Sequence, residues 1–309
     1  MSGTLRRPSR IGTGALALAC AHVVGSCGAA NDPARGAPDA GGKTFARLAV
    51  VLTAPRDGGV TVGAAGRLLR YRGVDLDSAQ VLAGARDRER APLGRCIVLD
   101  GEAQLEDALA TSPPDAAVQM LDAGDVLVRV AGQTIKMSPR YVPDIVPFVS
   151  GVVYDAEVAS DGIIELGAGS RDEASISAFG GQQVGRFDTA AELPAMPRFV
   201  TVAGAAADTS AEVDGGSDLP LTWTAEAGSR GTVTLSIGRD AGPALRCRVA
   251  DTGRFVIPSG PLARIIDAAR GETLAVSIER SRRSPFPAPG IDLAEVEVTA
   301  RDVLILHAN

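Results

Sequence analysis

From Ala46 to the C-terminus, apolar and polar residues alternate in short runs separated by Gly, Pro, Asp and Asn. GDVLVRVAG (124–132) sets Val126, Val128 and Val130 against Asp125, Leu127 and Arg129. GTVTLSIG (231–238) sets Val233, Leu235 and Ile237 against threonine and serine. The same period of two runs through ARLAVVLTA (46–54), RCIVLDG (95–101), GVVYDAEVA (151–159), LAVSIER (274–280) and AEVEVTA (294–300). Successive side chains of a strand point to opposite faces, so these runs predict strands with one buried and one wetted face, as in antiparallel sheets. Helical spacing is confined to two stretches. SGPLARIIDAARG (259–271) places Leu262, Ile265, Ile266 and Ala269 on one stripe, with Ser259 as a candidate cap, Pro261 in the first turn and Gly271 as a stop. EAQLEDALA (102–110) predicts another helical turn.

The pattern breaks at DTAAELPAMPRF (188–199), where Pro194 and Pro197 would interrupt a ladder, and it restarts at Phe199. The expectation is an all-β protein of two antiparallel β-sandwich domains, a β-rich one at 43–190 and a second at 198–309. About seven strands in the last 110 residues resemble secreted immunoglobulin-like sandwich modules. The Cys…Trp…Cys framework of antibody domains is missing, so the resemblance implies the architecture only. C-x-V-x-D followed closely by Gly occurs at Cys96 and again at Cys247, as equivalent strands of two sandwiches, or chance, would give.

The N-terminus has a different pattern. Arg6, Arg7 and Arg10 precede an apolar run, Ile11 to Gly25, too short for the roughly 20 residues of a membrane span. VVGSC then places Val24, Gly25 and Ser26 ahead of Cys27. This resembles the lipobox of bacterial lipoproteins, whereas Cys20 is preceded at the third position by the smaller Ala17. The resemblance implies a signal peptide at 1–26, a diacylglycerol-modified Cys27 as first mature residue, and anchorage in the cell envelope, at the outer membrane or cell surface. Two or three acyl chains on one cysteine give stable anchoring where a single chain is marginal. Residues 27–42, rich in Gly, Ala, Pro, Asp and Asn, then form a flexible tether. The alternatives are cleavage after Ala30 without lipid, and a cytosolic chain with an apolar start.

Composition narrows the chemistry. The net charge is −6, and removing 1–26 takes away three arginines and no acid, which argues against nucleic acid as a partner. Of two histidines, His22 lies in the predicted signal and His307 is the third residue from the end, so a Ser-His-Asp triad or a histidine-ligated zinc has little to draw on. Aromatic residues make up 4% of the chain, which is poor material for sugar-stacking platforms, and Trp223 reads as core. The single DTG (251–253) reads as a turn, since an aspartic protease needs two such loops. Asp122 and Asp125 in LDAGD likewise read as a turn rather than a calcium site. Glu279, Arg280, Arg282 and Arg283 read as a solvated hairpin tip. Cys96 and Cys247 read as two small buried hydrophobes in different domains, an interdomain bridge being the alternative. No catalytic, cofactor or metal residue is assigned; the one site residue is Cys27, for lipidation. The expected role is non-catalytic binding, adhesion or scaffolding, with the membrane and an envelope protein or glycan as partners. The alternative is an envelope hydrolase using an Asp/Glu pair about 5–10 Å apart.

Overall fold

The computed structural model describes residues 42–54, 60–84, 91–99, 101–130, 133–142, 149–156, 173–207, 210–226, 228, 231–239, 244–269 and 271–308. The signal peptide and tether expected from the sequence, up to residue 41 and including Cys27, lie outside them. The described chain is mostly β, as the alternation predicts. Its first part holds β1 (Lys43–Thr53), β2 (Thr61–Arg72), α1 (Leu76–Leu82), β3 (Arg95–Leu99), α2 (Gly101–Thr111), β4 (Ala117–Met120), β5 (Val126–Val130), β6 (Gln133–Met137), β7 (Arg140–Val142), β8 (Val149–Ala156), β9 (Glu173–Ala178) and β10 (Phe187–Glu192). The second part holds β11 (Phe199–Val202), β12 (Ala205–Ala206), β13 (Ser210–Val213), β14 (Leu219–Trp223), β15 (Thr232–Gly238), β16 (Ala244–Ala250), β17 (Arg254–Ile257), α3 (Ser259–Ala268), β18 (Thr273–Pro285) and β19 (Leu293–Ala308).

One ten-stranded sheet runs β16-β15-β18-β19-β1-β2-β4-β8-β7, with β13 also pairing β19. The stretches expected as separate domains, 43–190 and 198–309, both contribute strands to it. The joint is β1, which pairs with β19 in parallel from Phe45↔Leu293 to Thr53↔Arg301. Two four-stranded sheets, β10-β9-β5-β6 and β12-β11-β14-β17, supply the facing layers. Leu48, Val50, Leu68, Val296 and Val298 of the large sheet pack in one core with Val126, Val128, Ile176 and Phe187. Leu235, Leu245, Val276, Ile278 and Leu306 pack in a second with Phe199, Leu221, Trp223 and the α3 residues Leu262, Ile265 and Ile266. Each core thus has a facing sheet of its own, while the strands opposite belong to a common one. A third core joins Phe45, Leu69 and Met120 to Ala79 and Leu82 of α1 and Ala108 of α2. Phe45 and Leu69 alternate in sequence with Ala46 and Leu68, so this core lies on the other face of the sheet.

The two longest strands exceed their apolar alternation. β18 continues past Arg280 because its arginines are held: Arg282 by Glu192 and Glu226, and Arg283 by Glu297. The hairpin-tip reading of 279–283 is therefore corrected, Glu279 and Arg280 being only 6% and 4% exposed in mid-strand. Ser259 is not the cap of α3. It is the first helical residue, Pro258 holds the cap position, and the Ser259 N–H donates to Asp218 (2.8 Å).

Along one edge of β19, β1 gives way to β13 at residues 302–304. Asp302, fully buried, accepts there from the Phe199 N–H (2.8 Å) and pairs with Arg198 (3.5 Å), whose Nη1 also donates to the Ala54 carbonyl (2.8 Å). The Pro-containing segment before β11 is in this way tied to the shared sheet. Where β1 and β19 begin, Asp292 and Thr44 form a reciprocal pair: the Thr44 N–H donates to the carboxylate (2.8 Å) and the Asp292 N–H to the hydroxyl (2.7 Å). These bonds, the Thr44 N–H first, hold the Asp292 carboxyl below its ordinary range. A depressed folded-state value means that this contribution is complete above the unfolded value of about 3.9 and is lost as pH falls through the lower folded value. Asp292→Asn is accordingly expected to be less stable than wild type at pH 6, with the gap narrowing at pH 3. Urea denaturation at both pH values measures it; a gap that widens in acid contradicts the assignment.

Candidate ligand groove

On the face of the large sheet away from the first two cores, a groove of about 510 Å³ is lined by residues of six adjacent strands, β16, β15, β18, β19, β1 and β2. Its floor is made of small side chains, Ala49, Ala65, Ser236, Gly238, Ala244, Ala275 and Ser277. Alternation places them there: Ala49 lies between Leu48 and Val50, and Ala275 between Leu274 and Val276, all four of which are core residues. Where neighbouring strands all present small residues on one face, that face is hollow. Gly84, just after α1, borders the groove at the β2 side.

Five arginines and two glutamates stand around the floor: Arg47, Arg67, Arg239, Arg246, Arg301, Glu279 and Glu297. Both glutamates are buried and engaged. Glu279 accepts from Arg301 Nε (2.7 Å), its cross-strand partner, and Glu297 faces Arg283 (3.6 Å). Arg47 donates through Nε to Glu295 (2.5 Å), Arg239 through Nη1 to Glu272 (2.6 Å), and Arg67 reaches Asp155 (3.0 Å) and the Ala83 carbonyl (3.2 Å). Arg47 and Arg67 are also direct register partners of β1 and β2. Like charges placed opposite each other destabilise a sheet, so Glu295 and Asp155 offset a local cost.

The other sequence-marked residues lie elsewhere. Trp223 is core, as expected, and its indole N–H donates to Asp251 (2.8 Å). Asp251 of the DTG also pairs with Arg280 (2.7 Å), both being nearly inaccessible. The DTG is a turn, with Gly253 at φ 80°, but it passes the chain from one sheet to another: β16 pairs with β15, and β17 with β14. Asp122 serves local structure. Its Oδ1 accepts from the Gly124 N–H (2.7 Å) and from the Tyr154 hydroxyl (3.2 Å). A Cβ on Gly181 would come within 2.5 Å of the Asp122 carbonyl, so that interlock requires glycine. Burial, foremost, pushes the Tyr154 hydroxyl far above its ordinary range. Asp125 pairs with Lys136 (2.7 Å), whose hydrogen bond holds its carboxyl low. No cluster of three metal-ligating side chains is present among the described residues. His307 is exposed near the end of β19.

The expectation of two unpaired thiols is corrected: Cys96 and Cys247 form a disulfide. β3 belongs to the first part of the chain, yet Cys96 and Val98 pack on the second core, which brings Cys96 over Cys247 of β16. The repeated C-x-V-x-D letters therefore mark two cysteines bonded to each other. No helix among the described residues is long and apolar enough to cross a membrane.

Searches against family models, curated proteins and solved structures return no match for this chain.

Proposed function

We propose that the protein is an exported, lipid-anchored protein of the bacterial envelope whose role is binding rather than catalysis. The observation that carries the binding role is the arginine-lined groove, a concave surface with donors in place and its glutamates each engaged by an arginine. The hydrolase alternative has less support. Glu279 lies opposite Arg301, and Glu297 lies four residues before Arg301 on β19, which sets the backbone positions of the two roughly 13 Å apart along the strands, and each carboxylate is held by an arginine. Export is supported by the disulfide, since such bonds persist in oxidising compartments. Anchorage is supported by the lipobox at Val24–Cys27. The expected result is that Cys27→Ala moves the protein from the membrane to the soluble fraction and abolishes palmitate labelling. A variant that stays bound and labelled sinks the anchor.

A further inference from the structure

We infer that the groove binds an acidic glycan, a chain of hydroxyl-rich units carrying carboxylates at intervals; this deepens the binding role proposed above and rests on it. Three features set the ligand class. The first is extent. Residues from β16 at one side to β2 at the other line the groove, and five strand spacings of about 4.8 Å make it roughly 24 Å across, which suits an elongated ligand. The second is charge. Five arginines line the groove of a chain whose net charge is −6, and the acids that hold Arg47, Arg67 and Arg239, namely Glu295, Asp155 and Glu272, do not line it. Arg47 meets Glu295 through Nε, and a guanidinium has four further N–H donors in a fork that matches carboxylates. The third is the mixture of partners. Ser236 and Ser277 supply hydroxyls to the floor, while Glu279 and Glu297 are held by Arg301 and Arg283. The serine hydroxyls can exchange hydrogen bonds with sugar hydroxyls between spaced carboxylates, whereas two buried glutamates disfavour a densely charged polyphosphate. With few aromatic rings in the chain, recognition by arginine replaces stacking.

The test uses the full-length protein in detergent, titrated calorimetrically with oligogalacturonate, with neutral maltodextrin and with linear polyphosphate. Oligogalacturonate is expected to bind, and more weakly as salt rises. Two variants probe the groove in different ways: Arg47→Gln with Arg239→Gln removes charge, and Ala275→Leu fills the floor while leaving every charge in place. Each is expected to weaken binding by about tenfold or more, with circular dichroism and thermal unfolding reporting that the fold is kept. Should one variant fail to fold, the other still decides. No binding of oligogalacturonate, equal binding of maltodextrin, tighter binding of polyphosphate, or affinity unchanged in both variants overturns the assignment. A protein that is membrane-anchored but does not bind oligogalacturonate refutes the glycan alone, whereas one that binds it but is not anchored refutes only the anchor.

Discussion

Replacing Arg280 by alanine is expected to destabilise the protein by about 3–5 kcal/mol, the cost of leaving a buried charge without its partner. In the native fold Arg280 Nε donates to Asp251 (2.8 Å), Nη1 to the Ala195 carbonyl (2.6 Å) and Nη2 to the Thr224 carbonyl (3.1 Å). Asp251 in turn holds the Trp223 indole. One guanidinium thus joins β18 of the shared sheet, the segment before β11, the end of β14 and the turn into β17. The Arg280 and Asp251 side chains are 5% and 1% exposed, so water cannot replace the lost partner. Urea denaturation measures the loss, and in a protein of this size each kcal/mol shifts the melting temperature by about 2–4 °C. Asp251→Ala alone should be costly for the same reason. The double substitution should cost clearly less than the sum, because it leaves neither charge stranded. A cost under 1 kcal/mol for Arg280→Ala, or simple additivity of the two, would mean that this network does not hold the layers together.

The residues of that network illustrate where sequence reasoning succeeded and where it stopped. The alternation in 231–238 and 124–132 revealed strands and the side each one buries, because period two is a local property. α3 was legible from its stripe, although its N-terminus was not: the bond to the Ser259 N–H comes from Asp218, remote in sequence. β2 is not legible from the alternation, because TVGAAGRLLRYR dilutes its apolar positions with glycine and alanine. Arg280 and Asp251 were read by residue type, as surface charge and turn. Their burial depends on which layers meet, and that depends on the parallel pairing of the first strand with the last. No window of sequence contains that pairing.

The groove was hidden for the same reason. Arg47 and Ala49, Ala65 and Arg67, and Ala275 and Ser277 each occupy the wetted positions of their own strands, and singly each reads as unremarkable surface. A signal was present, since these positions carry small residues or arginine where threonine and valine are usual on an open sheet. It becomes a concave site only once β19 places Glu297 beside Ala49 and Arg301 beside Thr53.

The second large effect should come from the disulfide, and it reports on the same long-range architecture. Cys96 and Cys247 close a loop of 151 residues. The chain-entropy model assigns about 5 kcal/mol to a loop of that length, and measured effects are usually about 2–4 kcal/mol. Cys96→Ala with Cys247→Ala is therefore expected to lose about 2–4 kcal/mol in urea denaturation, and reduced wild-type protein should fall to a similar value. Cys247 is fully buried and Cys96 partly so, which directs attack to the Cys96 sulfur under native conditions and makes reduction faster once urea opens the second core. Alkylation of the unreduced, denatured protein should leave both cysteines unlabelled, and prior reduction should label both. Labelling without reduction removes the bridge, and with it the support for export that does not come from the N-terminus. If the bridge is present but its loss costs nothing, β3 is held on the second core by Cys96 and Val98 packing alone. A large loss instead makes β3, from the first part of the chain, a stabilising cover for a core built from the second.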